Sequence, residues 1–175
     1  MRVVAWNIRA GGGQRAQGIA RQIHRWQPDV VALSEFRGTP ASQWIARTIA
    51  QRSGLRFQRS TASKALPARN ALLIASRWPL RLVRLRETEP DPARWLHVNV
   101  AAPDPMALVA VHVPNRISGR KTPFLERVSA VAENWRGPPG IIAGDTNSGR
   151  IGIDEENPAF DHNEDSWIQS MDAIG

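Results

Sequence analysis

Cysteine is absent from the 175 residues, which excludes a disulfide framework, a thiolate metal site and a cysteine nucleophile together. Any metal must be held by oxygen or imidazole. Tyrosine is absent too. Long apolar runs are missing: Met1-Arg2-Val3-Val4-Ala5-Trp6-Asn7 turns polar after a few residues, too short for a secretory h-region or for a bilayer span. A soluble, cytoplasmic protein without a membrane span is therefore expected. No internal repeat or long linker appears, and the length suits one domain over residues 1–175.

Acid is scarce in the first half of the chain. Met1–Arg86 holds sixteen basic and two acidic residues, a charge of +14; Glu87–Arg150 balances at seven of each, and Ile151–Gly175 has seven acids and no base. Such a basic half suits a polyanionic partner. Because nearly all the bases are arginine, a compositional bias would produce the same count.

What is present reads as alternating strands and helices. Arg2–Trp6 predicts a first strand ending at Asn7, followed by a flexible turn at Gly11-Gly12-Gly13. From Gln14, the positions Ala16, Ile19, Ala20, Ile23 and Trp26 recur at helical spacing, and Pro28-Asp29 stops them. Val30–Leu33 predicts a second, buried strand with Glu35 just past its end. The triple glycine lacks the Lys-Ser/Thr of a phosphate loop, so a nucleotide-cofactor site is disfavoured.

Pro40–Arg52 repeats the helical period, with Trp44 expected in the core and Gly54 as the stop. A short strand near Leu55–Gln58, an exposed basic loop at Arg59–Arg69 and a strand over Asn70–Arg77 follow. Arg81–Arg86 alternates like a half-exposed strand, Glu87–Pro92 reads as a link, and Arg94–Val100 and Met106–His112 as strands joined by a short loop. Pro123 to Trp135 predicts a helix. Ile141-Ile142-Ala143-Gly144-Asp145-Thr146-Asn147 then reads as a buried strand opening into a polar loop.

Apolar runs thus end repeatedly in chemistry-bearing residues: Asn7, Glu35, His112 with Asn115, and Asp145 with Asn147. Carboxylate and amide oxygens suit a hard cation such as Mg²⁺, and amides or imidazolium contact phosphate oxygens. Taken singly, each such residue is more simply a turn cap or a solvated side chain. Their recurrence at successive strand ends is the signal.

The set Trp6-Asn7, Pro28–Glu35, Ser76-Arg77-Trp78-Pro79, His112-Val113-Pro114-Asn115 and Gly144-Asp145-Thr146-Asn147 resembles the endonuclease/exonuclease/phosphatase family, which includes DNase I-like nucleases. The resemblance implies an α/β (α+β) fold, a four-layer sandwich of two packed mixed sheets flanked by helices. It also implies hydrolysis of a phosphoester, with DNA and RNA among the substrate classes, assisted by Mg²⁺ or Mn²⁺. By position, Glu35 resembles the metal-binding acid and Asn7 its companion near metal and phosphate. Asp145 resembles the acid that orients the attacking water, Asn147 a phosphate contact, and His112 a phosphate-stabilising residue. The apurinic-site branch prefers tyrosine at that last position, so the match leans toward the phosphatase or general nuclease branches. Asn70, Asn115, Arg116, Arg120 and Lys121, with Arg69, lie in loops near these ends as substrate-binding candidates.

One segment departs from the family. Its closing Ser-Asp-His has no counterpart: Asp161-His162 lies between Phe160 and Asn163-Glu164-Asp165 without an apolar strand, and reads as a surface turn. A chain incomplete at its C-terminal end is therefore expected. The leading reading is a Mg²⁺-dependent, phosphodiester-cleaving hydrolase. The alternative is a non-catalytic relative that binds nucleic acid or phosphorylated headgroups through its basic face.

Overall fold

The computed structural model describes residues 1–84 and 91–174. They fall into two compact units, Met1–His112 with Gly137–Asp145, and Val113–Arg136 with the chain from Thr146 onward. The first unit holds every strand among the described residues. Its first sheet runs β1 (Val3–Asn7), β2 (Val30–Phe36), β4 (Ala71–Ser76), β3 (Phe57–Ser60) in spatial order, and its second runs β5 (Leu80–Leu82), β6 (Trp95–Val100), β7 (Met106–His112), β8 (Gly140–Asp145). Both sheets are mixed: β1 and β2 are parallel, as are β7 and β8, and the other pairs are antiparallel. This is the expected α/β sandwich.

Strand alternation builds two cores from one sheet. In β2, Val31 and Leu33 turn to one face and Val30 and Ala32 to the other, because successive side chains point to opposite sides. The first face packs on Ile19, Ile23, Ile45 and Ile49 from α1 (Ala16–Trp26) and α2 (Pro40–Ser53). The second meets Leu96, Val98, Leu108 and Ala110 of the other sheet. Each fully buried aliphatic side chain contributes about 1.5–3 kcal/mol of transfer free energy, so these two seams hold the strand ends in place. α1 stops where Gln27 turns left-handed, and α2 is bounded by Pro40 in its first turn and left-handed Gly54.

The second unit carries α3 (Lys121–Glu133) and α4 (His162–Ile174). Trp167 of α4 donates its indole N–H to the Leu125 carbonyl at 3.2 Å and to Ser129 Oγ at 3.0 Å. Asp161-His162 is not a turn but the start of α4, where Asp161 Oδ1 accepts the Asn163 and Glu164 N–H groups and satisfies donors that the first helical turn leaves free.

Other expectations are corrected as well. Glu35 lies inside β2 rather than past it. Trp44 is 37% exposed rather than in the core, since the inward face of α2 is taken by Ile45 and Ile49. The Ile141–Ala143 run is not deeply buried: β8 is the last strand of its sheet, and Ile141 is 41% exposed. Gly11 and Gly12 are buried in the left-handed region, and a side-chain carbon on Gly11 would come within 2.8 Å of Ser42 Oγ, so that stretch is close-packed rather than a loose turn. The expected strand Arg81–Arg86 is seen as β5 only to Leu82. The rest of it from residue 85, and the link as far as residue 90, lie outside the described residues.

Candidate active site

Parallel pairing places the carboxyl ends of β1 and β2 side by side, with Asn7 in register with Ser34. Glu35 follows at a β-bulge, where pairing with β4 shifts between Ser34 and Phe36, and its backbone is left-handed at φ 54°. A non-glycine residue there carries strain of about 1–2 kcal/mol. The bulge re-aims the side chain, which would otherwise follow the strand's alternation. Two contacts tie the residue to the loop after β1: the Ala10 N–H donates to Glu35 Oε2 at 2.7 Å, and the Gly11 N–H to the Glu35 backbone carbonyl at 2.8 Å. The left-handed run Arg9–Gly13 is what presents those N–H groups.

The other half comes from the second sheet, where parallel pairing sets His112 opposite Asp145. Gly144 makes this approach feasible. Its φ is 147°, and a side-chain carbon there would lie 1.9 Å from the Val111 carbonyl oxygen.

Four strand ends therefore meet. Asn7 Nδ2 donates to Asp145 Oδ2 at 2.6 Å and to Glu35 Oε1 at 3.0 Å, while Asn7 Oδ1 accepts the Arg9 N–H at 2.8 Å. The last bond sets which way the amide points, so its NH₂ bridges the two carboxylates. His112 Nε2 stands 3.9 Å from Asp145 Oδ2. One ligand atom each from Glu35, His112 and Asp145 lie within 4.8 Å of one another.

The electrostatics separate the roles. Partial burial pushes the Glu35 carboxyl up, but hydrogen bonds from Ala10 and Asn7 and the charges of His112 and Arg37 outweigh it, leaving the group below its ordinary value. Burial and the Arg94 guanidinium hold the His112 imidazole below its ordinary value, against the pull of Asp145, Glu35 and Asp91. His112 is thus neutral at pH 7, and its approach to Asp145 is not an ion pair there. Its Nδ1 is buried without a hydrogen-bond partner, so the proton is better placed on Nε2, facing Asp145.

The donor set fits a hard cation. Two carboxylates crowd together with one amide bridging them, no thiolate competes, and oxygen-rich sites of this kind suit Mg²⁺ or Mn²⁺. As the amide is oriented, Asn7 presents hydrogen rather than oxygen to the site, and the oxygens on offer there are those of Glu35 and Asp145.

A model of the endonuclease/exonuclease/phosphatase family matches residues 4–164. The chain belongs to this family. The match contains all four clustered residues, and solved structures share the fold. An AP endonuclease from Archaeoglobus fulgidus superimposes with a TM-score of 0.74 at 18% identity, over 99% of this chain and 69% of that one. An endonuclease/exonuclease/phosphatase from Beutenbergia cavernae gives 0.67 at 22%, over 97% and 53%. A humanized D. rerio TDP2 carrying 14 mutations gives 0.63 at 18%, over 85% and 63%. The chain thus spans between about half and 69% of the length of these structures. A comparison with curated proteins finds no match. Among the described residues no helix of this family member is long and apolar enough to cross a membrane.

The remaining predicted residues sit elsewhere. Asn70, at the entry to β4, accepts the Arg37 Nε–H at 2.7 Å. Arg69 pairs with Asp91 at 2.9 Å. The others belong to the second unit. There Asn147, left-handed at φ 47°, donates its side-chain amide to the Val113 carbonyl at 2.6 Å. Buried Lys121 pairs with Glu164 and also donates to the Asn147 carbonyl, and Arg116 reaches Glu164 at 3.2 Å and Asp161 at 3.7 Å. Asn115 and Arg120 are exposed.

Arg9 and Arg15 were not singled out by sequence reasoning. With Trp6, Asn7 and Asp145 they line a cleft of about 570 Å³. Arg15 donates to the Ile8 carbonyl at 2.9 Å and the Arg9 carbonyl at 2.8 Å, which braces the loop. The one available signal was their position just after Asn7, which the charge count over the whole basic half obscured.

Proposed function

We propose that this chain carries the site of a Mg²⁺- or Mn²⁺-dependent phosphodiesterase acting on nucleic acid. The observation that supports the reading is the convergence of Asn7, Glu35, His112 and Asp145 from four strand ends. Glu35 and Asp145 would hold the cation, which when bound polarises a phosphoryl oxygen and offsets the charge that builds up in displacement.

The chain's own groups divide the rest of the work. Asp145, with its Oδ2 already accepting from Asn7, keeps lone pairs with which to accept a hydrogen bond from an attacking water and aim it at phosphorus. Asn7 holds Glu35 and Asp145 in one geometry before substrate arrives, which removes reorganisation from the chemical step. His112, neutral with its proton on Nε2, is a donor suited to a non-bridging phosphate oxygen. Arg9 and Arg15, on the wall of the neighbouring cleft, supply positive charge for the flanking phosphate. Asn147 is the further candidate for a phosphate contact, on resemblance alone.

Hydrolysis of bis(p-nitrophenyl) phosphate and of a labelled oligonucleotide, with and without Mg²⁺ or Mn²⁺, tests this. Activity should require the metal and fall by at least about a hundredfold in Asp145→Ala, the scale seen for loss of a group acting in the transition state. Metal-independent activity, or activity unchanged in that variant, would overturn it. Salt-sensitive nucleic-acid binding with no turnover under saturating metal would put a non-catalytic binding role in its place.

A further inference from the structure

The charge of the first half is not absorbed by the site. Residues 1–84 contain two acids, Asp29 and Glu35. Glu35 belongs to the cluster, and Asp29 is engaged by the Arg2 N–H at 2.8 Å and by Arg77 at 3.4 Å. Neither α1 nor α2 contains an aspartate or glutamate. The outer surface of this helical layer is therefore basic without internal compensation.

A groove of about 430 Å³ runs between these two helices. On α1 its wall is Gln17, Arg21 and His24, spaced by four and three residues, and on α2 it is Trp44, Thr48 and Arg52, each four apart. Side chains at such spacings stack along one helix face, so two stripes confront each other across the groove. These are exposed except half-buried Thr48, and buried Ala20 completes the lining. The Arg21 and Arg52 guanidinium groups make no hydrogen bond or ion pair among the described residues. Beside them stands Trp44, 37% exposed although its helix has a well-filled inner face.

An exposed indole in one groove with unpaired arginines is the combination that takes phosphates and a base at once. Arginine contributes charge and planar donors to phosphate, and an aromatic face stacks on any base with little sequence preference. A membrane surface fits less well, because lipid-binding helices lay an apolar face into the interface. Trp44 is the one large exposed hydrophobic side chain on these helices, whose apolar faces are spent on the core.

We propose that the α1–α2 groove binds single-stranded nucleic acid, with phosphates on Arg21 and Arg52 and a base stacked on Trp44. None of these residues belongs to the Asn7–Glu35–His112–Asp145 cluster. The surface would hold the polymer independently of turnover.

Fluorescence anisotropy of a short labelled oligothymidylate, measured with the full chain in EDTA across a salt series, tests this without hydrolysis. Arg21→Glu with Arg52→Glu should weaken binding about tenfold and reduce the slope of log affinity against log salt by about 1.4, as expected for two lost phosphate contacts on a single strand. Trp44→Ala should weaken it at least about fivefold and Trp44→Phe far less, since a phenyl ring still stacks. Heparin, which has charge but no bases, should respond to the arginine pair and not to Trp44. Circular dichroism confirms folding, and Arg21→Gln with Arg52→Gln serves if charge reversal disrupts the helices. Unchanged oligonucleotide affinity in the folded arginine variants would overturn the proposal. So would equal loss of heparin and oligonucleotide in Trp44→Ala, equal affinity for duplex, or capture by phosphatidylglycerol vesicles in preference to the oligonucleotide.

Discussion

Asn7 Nδ2 lies 2.6 Å from Asp145 Oδ2, although the two residues are 138 positions apart in the chain. The same nitrogen reaches Glu35 Oε1 at 3.0 Å, so one neutral amide holds two carboxylates that would otherwise repel. Replacing it should expose that repulsion. Asn7→Asp should lower the melting temperature in EDTA and increase the rise produced by Mn²⁺, because a third carboxylate raises both the repulsion and the affinity for a cation. Thermal melts of both proteins with and without Mn²⁺ check this; a variant with unchanged apo stability would show that the bridge carries no strain.

Metal linkage should also appear in the parent protein. Any ligand that binds only the folded state stabilises it, by about 2.7 kcal/mol at a hundredfold excess over the dissociation constant. Mn²⁺ should therefore raise the melting temperature, EDTA should reverse it, and Glu35→Gln and Asp145→Asn should each abolish most of the shift. Retention of the full shift in both variants would place the cation elsewhere.

Glu35 separates stability from function through its backbone. Glu35→Ala and Glu35→Gly both remove the carboxylate, but only glycine is at ease at φ 54°. Denaturant titration should show Glu35→Gly more stable than Glu35→Ala by about 1 kcal/mol, with both inactive. The opposite order would mean that the bulge is not strained.

At Gly144 the constraint is steric. Because an added side-chain carbon would come within 1.9 Å of the Val111 carbonyl oxygen, Gly144→Ala must push β8 away from β7 or unfold their pairing. A loss of more than about 3 kcal/mol is expected, in the range of severe core substitutions, with Asp145 displaced from His112. Near-parental stability and activity would show that the strand pair yields easily.

Acid sensitivity should trace in part to His97 in β6. Burial lowers its pKa from the ordinary 6.5, so the unfolded chain takes up this proton at higher pH than the folded one. The stabilising difference is complete above about pH 6.5 and is lost as the pH falls toward the depressed folded value. Melting temperature should drop between pH 7.5 and 5, and His97→Gln should flatten part of that drop. A superimposable pH profile for the variant would rule the group out.

Local pattern alone located most of the elements. The aliphatic runs and their breakers placed β2, β4, β7 and the inward face of α1, because apolar periodicity records which side of an element is buried. The same local reading marked Asn7, Glu35, His112 and Asp145, since polar residues directly after apolar runs stand out in sequence. The two sheets and the family agree with what those motifs implied.

Whatever depends on neighbours was not legible. The outward turn of Trp44 was decided by Ile45 and Ile49 competing for the same core, and the exposure of Ile141 by the position of β8 at a sheet edge. Lys121 and Arg116, free cations on paper, spend their charge on Glu164. Sequence by itself determined which residues carry charge, amide or imidazole and at which strand ends they stand. Only the tertiary structure decided that Asn7 would bridge Glu35 and Asp145, because that bond needs the β2 bulge and the close passage of Gly144 past Val111, and neither leaves a mark on local periodicity.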